Sequence, residues 1–266
     1  MTNSKQCMQI VFIGAGNLAT NLATALKKAG HIIKQVYSKT EKSASALGIL
    51  LQCPHTSNIK QIERNADLYI VALKDSVLQK IANEIIKGRE GALWVHTSGS
   101  TEMDVLNCER RGVFYPMQTF SKTRIIDFAT IPCFLEANKD EDLETLKYLA
   151  NSISSNVSVV SSSDRKYLHL SAVFCCNFVN HTIAIGEKLL REHGIDFKVM
   201  LPLIEETIKK LNDLSPIEAQ TGPAIRWDEN IMMKHKELLS DDPVLQNIYD
   251  IFSKNIHIYS QNKSKQ

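Results

Sequence analysis

The sequence predicts an α/β fold in which an N-terminal Rossmann-like domain, built on a doubly wound parallel sheet, precedes an all-helical C-terminal domain. Three observations support this prediction. Short apolar runs alternate with amphipathic stretches as far as Val160, a glycine-rich turn follows the first apolar run, and the apolar residues beyond Ser161 have helical spacing. We therefore expect a domain boundary near Ser161, between residues 1–160 and 161–266.

The expected strands are Met8–Ile13, Ile33–Tyr37, Leu50–Cys53, Leu68–Leu73, Ala92–Thr97, Gly112–Tyr115, Thr130–Glu136 and Asn156–Val160. Between them we expect helices at Asn17–Ala29, Glu41–Leu47, Asp75–Ile86, Ser100–Arg111 and Asp142–Ser154. Strand alternating with helix implies parallel pairing with right-handed crossovers. Past the boundary, helices are expected at Asp164–His193, Asp196–Asp213, Ala224–Leu239 and Pro243–Asn262.

Composition excludes several classes of protein. The 266 residues carry a net charge of only +2, which gives no electrostatic reason to expect nucleic acid or a membrane surface as partner. The apolar run near the N-terminus is too short to cross a bilayer. The most apolar long segment, Leu168–Leu190, contains polar residues such as Asn180 and Glu187, so we expect a buried helix rather than a lipid-facing one.

The cysteines point to a reducing compartment. The six cysteines form no C-x-x-C pair, and the histidines show no metal-ligand spacing. We therefore expect reduced, mostly buried thiols, a cytoplasmic protein and no bound metal.

The turn after the first strand has the pattern of a dinucleotide-binding site. Gly14 lets the chain turn sharply, Gly16 lets a pyrophosphate approach the backbone, and Ala19 is small enough for close packing of helix on strand. The amides that open the helix then face the anion. The candidate cofactor-binding residues of this turn are Gly14, Ala15, Gly16, Asn17 and Leu18.

The end of the second strand favours NADP over NAD. A site that prefers NAD usually has a carboxylate there for the ribose hydroxyls. This chain instead has Ser38, Lys39 and Thr40, which can bind a 2′-phosphate through hydroxyl groups and one positive charge. A second contact region with the cofactor is expected at Ala72, Leu73 and Lys74, because ligands of open α/β sheets bind at the carboxyl ends of the strands.

The candidate catalytic residues lie on two segments. His96 and Ser98 follow the fifth strand, where the nicotinamide end of the cofactor is expected. His169, Asn177 and Asn180 lie on the apolar helix, at offsets that place them on roughly one face. These polar groups can contact a substrate, or they can hydrogen-bond neighbouring helices or a second subunit.

Two further segments are candidates for the substrate site. Residues 116–119 are candidates for the floor of a cleft. Arg226 could bind a substrate carboxylate, although a salt bridge at a surface or an interface is at least as plausible.

Several motifs together resemble a known group of proteins. GAGNLA, SKT after the second strand and VALKDSVL are similar to the pyrroline-5-carboxylate reductases and the deazaflavin-dependent NADP oxidoreductases. HTSGST, YPMQTFS, LHLSAVFCCNFVNH and TGPAIRWDENIMMKH more closely resemble a family of NADP oxidoreductases with a Rossmann domain and a helical domain. The resemblance covers nearly the whole chain. It implies NADP at the glycine turn and a helical domain that packs against a second subunit.

The function expected from the sequence is that of an NADP-dependent oxidoreductase, a homodimer acting on a small metabolite such as an imine or a keto acid. Related hydroxyacid dehydrogenases have a Lys four residues before the Asn that matches Asn180, whereas this chain has Cys176. The missing Lys leaves open a second function, that of a non-catalytic, NADP-binding regulatory dimer. A methyltransferase is disfavoured, because the SKT segment offers no carboxylate for the ribose of a methyl donor.

Overall fold

The computed structural model describes residues 7–262. The chain divides into two compact units, Met1–His181 and Thr182–Gln266. The last strand ends before the predicted boundary near Ser161, and the first compact unit continues beyond that boundary into the long helix that follows.

The first unit contains one eight-stranded sheet. Its strands are β1 Gln9–Ile13, β2 Ile32–Tyr37, β3 His55–Thr56, β4 Leu68–Val71, β5 Leu93–His96, β6 Arg111–Pro116, β7 Cys133–Ala137 and β8 Val157–Val159. Its helices are α1 Asn17–Lys28, α2 Glu41–Leu51, α3 Asp75–Ile86, α4 Asp140–Asn151 and α5 Ser162–Ala172. The predicted fold class is confirmed.

The strand order is β3-β2-β1-β4-β5-β6-β7-β8. The order reverses beside β1, so the carboxyl ends of β1 and β4 border the crevice in which doubly wound folds bind ligands. The expectation of parallel pairing throughout is wrong at one place, since β7 runs antiparallel to β6. The physical reason is that residues 117–132, which join these strands, contain no crossover helix.

Both faces of the sheet are covered, as the uninterrupted apolar strands predict. Side chains alternate along β1: Ile10 and Phe12 enter the core beneath α1, whereas Val11 and Ile13 enter the core on the α3 side. In the latter core, Tyr69 and Trp94 on adjacent strands stack with ring centroids 4.2 Å apart. The two layers hold the carboxyl edge of the sheet rigid.

Two predicted elements are wrong. Leu50–Cys53 is not a strand, because α2 continues to Leu51; Leu47 and Leu51, one helical turn apart, are both buried, and the third strand is His55–Thr56. Ser100–Arg111 is not an α-helix and contains only a 3₁₀ turn at Met103–Val105.

The failure of the Ser100–Arg111 helix has a physical cause. The carbonyl oxygens of Thr101 and Glu102 already accept hydrogen bonds from Arg165 and His96, at 2.6 and 3.2 Å. The amides of Ser100 and Thr101 are likewise bonded to the Ser98 hydroxyl. Groups that an α-helix would pair within itself are thus used in tertiary contacts and a local turn.

Helical structure continues from α5 through a π-helical segment, Val173–Phe178, into α6 Val179–Glu192. The expectation of a buried helix is wrong: side chains such as Leu170, Phe174 and Phe178 are 46–60% exposed in the single chain. Among the described residues, Ser162–Glu192 is the one helix long and apolar enough to cross a membrane by length and composition, which is weak evidence by itself.

The second unit is helical. It contains the rest of α6 and then α7 Leu201–Lys209, α8 Pro216–Ala219, α9 Pro223–Arg226, α10 Glu229–Leu238 and α11 Pro243–Asn262. The predicted helix Ala224–Leu239 is therefore two helices. Trp227 separates them because it adopts the left-handed conformation, with φ of 53°, which a helix cannot continue through. Short 3₁₀ turns flank α7, so the predicted Asp196–Asp213 helix is also interrupted.

Candidate functional site

The turn after β1 has the geometry that the glycine pattern predicts. Gly14 has φ of +116°, and a Cβ on it would lie 2.3 Å from the carbonyl oxygen of Ala72 in the turn after β4. Its amide donates to the Tyr37 carbonyl at 2.7 Å. Glycine is therefore required both by the backbone conformation and by close contact between the turns after β1 and β4.

The start of α1 is open toward solvent. Gly16 is exposed, and nothing lies within 4 Å of the place where its Cβ would be. The first turn of α1 contains no acidic residue, and the Thr20 amide, bonded to the Gly16 carbonyl at 3.0 Å, is an early bond of the helix. The preceding amides of the helix lie outside the i to i−4 ladder, where they can bind an anion. Ala19 is fully buried, as close helix–strand packing requires.

A cavity of about 700 Å³ lies beyond this turn, and we name it the Lys39 cavity. It is lined by Tyr37, Lys39, Ser57, Asn58, Ile59, Leu73, Ser76, Val77, Lys80, Ile81 and Glu84. Its size and two lysines suit the adenosine end of a phosphorylated dinucleotide. Sequence reasoning missed Lys80, whose position one turn into α3 is the only signal that could have found it.

The structure places the predicted cofactor-binding residues at the end of β2 in three different environments. Lys39 lines the Lys39 cavity and is exposed, Ser38 is buried with its amide bonded to the Thr56 carbonyl, and Thr40 binds the Ser43 hydroxyl. In the turn after β4, Leu73 lines the cavity and Lys74 is exposed at the start of α3. The chain's residues thus fit a dinucleotide with phosphate groups at both the turn and the ribose.

The His96 side chain is held entirely by the backbone. Its Nδ1 accepts from the Ser98 amide at 3.1 Å and its Nε2 donates to the Glu102 carbonyl at 3.2 Å. Burial lowers the pKa of His96 to about 4, and the nearby Arg165 guanidinium acts in the same direction. His96 is therefore neutral at neutral pH and shapes the turn after β5. The Ser98 hydroxyl serves the same turn, by accepting from two amides.

Arg165 connects α5 to the sheet. It is 1% exposed and donates to the carbonyls of Ser98 and Thr101 and to Glu136, at 3.2, 2.6 and 2.5 Å. A buried charge is tolerated because it is both paired and hydrogen-bonded. This arginine fixes α5, and with it His169, over the carboxyl edge of the sheet.

A second cavity, of about 490 Å³, lies at this edge, and we name it the Tyr115 cavity. It is lined by Tyr115, Met117, Gln118, Thr119, Phe120, Leu168, His169, Ser171, Ala172, Cys175, Cys176 and Asn177. The Tyr115 hydroxyl lies 3.2 Å from His169 Nδ1. Burial raises the pKa of Tyr115, so that its hydroxyl keeps its proton at neutral pH.

The structure brings some of the predicted catalytic residues together. His169 and Asn177 line the Tyr115 cavity, whereas Asn180 does not. Asn177 lies within the π-helical segment, which changes the helical register between His169 and Asn180. Sequence reasoning missed Tyr115, although its place at the end of β6, beside the predicted floor at residues 116–119, was a usable signal.

The segment after β6 reaches back to the nucleotide turn. The Asn17 side-chain amide donates to the Phe120 carbonyl at 3.0 Å, and Asn21 donates to the Ser121 carbonyl at 2.9 Å. Since Phe120 also lines the Tyr115 cavity, the start of α1 contacts both the dinucleotide turn and the wall of this cavity.

All six cysteines are free. The expectation that they are mostly buried is wrong, because Cys7, Cys175 and Cys176 are exposed, the last two on the π-helical segment. Within residues 7–262, no group of three His, Cys, Asp or Glu side chains is placed to hold a metal ion.

This arrangement defines a Rossmann-type dinucleotide-binding protein with a cavity beside the expected reactive end. A Rossmann-like domain model matches residues 2–117, and a domain of unknown function, DUF2520, matches residues 131–256. A Bacteroides fragilis crystal structure, that of a "putative NADP oxidoreductase", is 49% identical with a TM-score of 0.92, covering 96% of this chain and 99% of that one. The chain belongs to the same family as this protein, which confirms the resemblance found in the sequence.

More distant structures share the fold. A Thermotoga maritima protein is 20% identical with a TM-score of 0.80, covering 95% of this chain and 99% of that one. Pyrroline carboxylate reductase from Plasmodium falciparum, with NADP bound, is 14% identical with a TM-score of 0.58, covering 95% and 98% of the two chains. No curated protein sequence matches the chain.

Proposed function

We propose that this protein is an NADP-dependent oxidoreductase that transfers a hydride to or from a small metabolite. The main support for the proposal is that two features of the site lie at the same edge of the sheet. The glycine turn after β1 and the Tyr115–His169 pair after β6 both lie at carboxyl ends of parallel strands. The first binds a dinucleotide and the second can move a proton, which together suffice for hydride chemistry.

NADP is the proposed cofactor for two reasons. Two lysines, Lys39 and Lys80, line the Lys39 cavity together with one carboxylate, Glu84, and residues 38–40 at the end of β2 contain no Asp or Glu. The 49% identical Bacteroides fragilis relative is named for NADP. When bound, the cofactor supplies or accepts the hydride. The chain's own residues hold the phosphates at Gly14–Leu18 and at Lys39.

Cofactor binding is tested by titrating the purified protein with NADPH and NADH and following fluorescence. We expect NADPH to bind more tightly, and Lys39→Ala to weaken NADPH binding about tenfold or more, the loss of a charge-assisted hydrogen bond. Lys87→Ala is the matched control, since Lys87 is exposed at the other end of α3. Equal affinity for the two cofactors contradicts the choice of NADP.

A turnover assay distinguishes the enzyme from the alternative of a regulatory, non-catalytic protein. An NADP-binding protein that is not an enzyme binds NADPH but oxidises it with no carbonyl or imine compound. The proton-donating pair in the Tyr115 cavity favours the enzyme, because it offers the group that Cys176, in the place of the usual lysine, does not.

We further propose a homodimer that acts in the cytosol. The exposed apolar side chains on α5, the π-helical segment and α6 need a cover, and a second copy of this chain offers an equally apolar face. Six unpaired thiols fit a reducing compartment.

Light scattering after size exclusion should give the mass of a dimer, and Phe174→Glu should give that of a monomer. Monomeric wild-type protein, or protein that floats with lipid vesicles, contradicts this proposal. Tyr148→Glu, on α4, is the control for an added surface charge.

A further inference from the structure

We infer that the substrate is an uncharged aldehyde or ketone, and that Tyr115, positioned by His169, donates the proton to its carbonyl oxygen. The inference rests on the oxidoreductase function proposed above and narrows its substrate class. It depends on what the Tyr115 cavity contains and on which charged groups lie elsewhere.

The Tyr115 cavity has no charged wall. Among the described residues that line it there is no Lys, Arg, Asp or Glu; the polar groups are hydroxyls, side-chain amides, thiols and one imidazole. The buried cation nearest in the fold, Arg165, is paired with Glu136 and bonded to two carbonyls.

A keto acid would be a poor ligand for such a cavity. Its carboxylate would lose water without gaining a cation from the wall of this chain, and an unpaired charge that loses water is unfavourable. An iminium ion meets the same difficulty with the opposite sign, since no carboxylate lines the cavity to pair with it. A neutral carbonyl compound needs only hydrogen-bond donors, which Gln118, Thr119 and Asn177 supply.

Reduction of a carbonyl group also depends more on a proton donor than reduction of an imine does, because a carbonyl oxygen is far less basic than an imine nitrogen. Tyr115 fits this role: its side chain lines the cavity, and its hydroxyl stays protonated because burial raises its pKa. His169 Nδ1, at 3.2 Å, can hold the phenol oxygen and relay a proton to it. Gly99 packs against the imidazole and leaves no room for the ring to move toward β5.

The proposed step balances. In the direction of reduction, the carbonyl carbon accepts the hydride that NADPH supplies, and the electron pair of the C=O π bond moves to oxygen. That oxygen takes the proton of Tyr115, and the phenolate regains a proton from water through His169. The products are an alcohol and NADP⁺.

The substrate class is tested with matched pairs of ligands that differ by one carboxylate. Acetophenone against phenylglyoxylate and cyclohexanone against 2-oxocyclohexanecarboxylate are suitable, together with 1-pyrroline against 1-pyrroline-5-carboxylate. Binding to the NADP⁺-loaded protein is measured by ligand-observed NMR, so that turnover is not needed. We expect the neutral ketones to bind about tenfold or more tightly than the anions. Tighter binding of the anions or the imines, or no binding by any pair, overturns the inference.

A charge placed in the wall should reverse the preference. Thr119 is exposed and lines the Tyr115 cavity, so Thr119→Lys adds a cation with little effect on folding. This variant is expected to bind phenylglyoxylate more tightly than wild type does. An unchanged order of the two ligands contradicts the assignment of this cavity to the substrate.

The proton donor is tested by Tyr115→Phe, with Tyr167→Phe as control because Tyr167 is 72% exposed. For the best ketone, Tyr115→Phe should lower kcat about 10²-fold or more while KM changes little. His169→Gln should lower kcat less than Tyr115→Phe does and change the pH profile of kcat, since His169 acts through Tyr115 by holding its hydroxyl and returning its proton. An unchanged kcat in Tyr115→Phe overturns the role of Tyr115. NADPH affinity, measured separately, shows whether the cofactor proposal has failed instead.

Discussion

Gly99 lies so close to His169 that an added Cβ would stand 2.7 Å from the imidazole Nδ1. Gly99 belongs to the turn after β5, and His169 lies on α5. The same imidazole nitrogen meets the hydroxyl of Tyr115, at the end of β6. Three elements far apart in sequence thus fix one side chain beside the cavity that we assign to the substrate.

Gly99→Ala should therefore displace His169 and disturb Tyr115. Overpacking of this kind costs about 1–3 kcal/mol of stability. We expect a lower kcat for the best carbonyl compound with unchanged NADPH affinity. Gly91→Ala is the matched control, because nothing lies within 4 Å of its added Cβ. If both variants keep wild-type kcat, the imidazole has no part in the reaction.

Substitution of each of the two glycines in the nucleotide turn should distinguish an effect on stability from an effect on cofactor binding. In Gly14→Ala the new Cβ clashes with the Ala72 carbonyl, and the φ of this position is unfavourable for alanine. The variant should therefore have a destabilised fold and should not bind NADPH. Gly16→Ala meets nothing within 4 Å. It should keep the wild-type midpoint of urea unfolding but weaken NADPH binding, since its methyl group occupies the approach of the pyrophosphate. Wild-type affinity in Gly16→Ala would show that the cofactor does not approach this turn.

The buried His96 should make stability depend on pH. Its pKa is about 4 in the folded protein, against about 6.5 in the unfolded chain. The unfolded state therefore binds more protons between these values, so the contribution of His96 is fully present above pH 6.5 and is lost as the pH falls toward 4. The difference corresponds to about 3 kcal/mol.

Urea unfolding of wild type and His96→Gln across this range measures that contribution, since the carboxylates common to both proteins cancel. We expect a smaller loss of unfolding free energy in the variant. His193→Gln serves as control because His193 is exposed. Parallel pH curves for wild type and His96→Gln would contradict the burial of a neutral imidazole.

The sequence predicted those parts of the site whose residues lie close together along the chain. Gly14, Gly16 and Ala19 could be assigned because a strand, a turn and a helix follow one another within a few residues. The Tyr115–His169 pair could not be predicted, because 54 residues separate its members and no pattern in either segment indicates that they are in contact. The Lys80 contribution to the Lys39 cavity was missed for the same reason.

Tertiary contact explains the missing helix at Ser100–Arg111. The Ser100–Arg111 segment has an acceptable helical start, but Arg165 and His96 take its carbonyl groups. The π-helical segment changes the register between His169 and Asn180, which ordinary helical spacing does not predict. An apolar pattern also does not distinguish a helix whose side chains are buried within the chain from one that leaves them exposed, as Phe174 is.

The buried Asn21 should couple the nucleotide helix to the wall of the Tyr115 cavity. Its side chain donates to the Ser121 carbonyl and accepts from the Ile126 amide at 3.0 Å, so it holds the middle of the segment after β6 at two points. Asn21→Ala leaves these backbone groups without their partner, which costs about 1–3 kcal/mol where they are buried. We expect faster hydrogen exchange in residues 117–131 and weaker ketone binding, with NADPH affinity little changed because the glycine turn is intact. Asn83→Ala, on the exposed face of α3, is the control. Unchanged exchange in residues 117–131 would show that the remaining contacts, among them that of Asn17 with Phe120, hold the segment without Asn21.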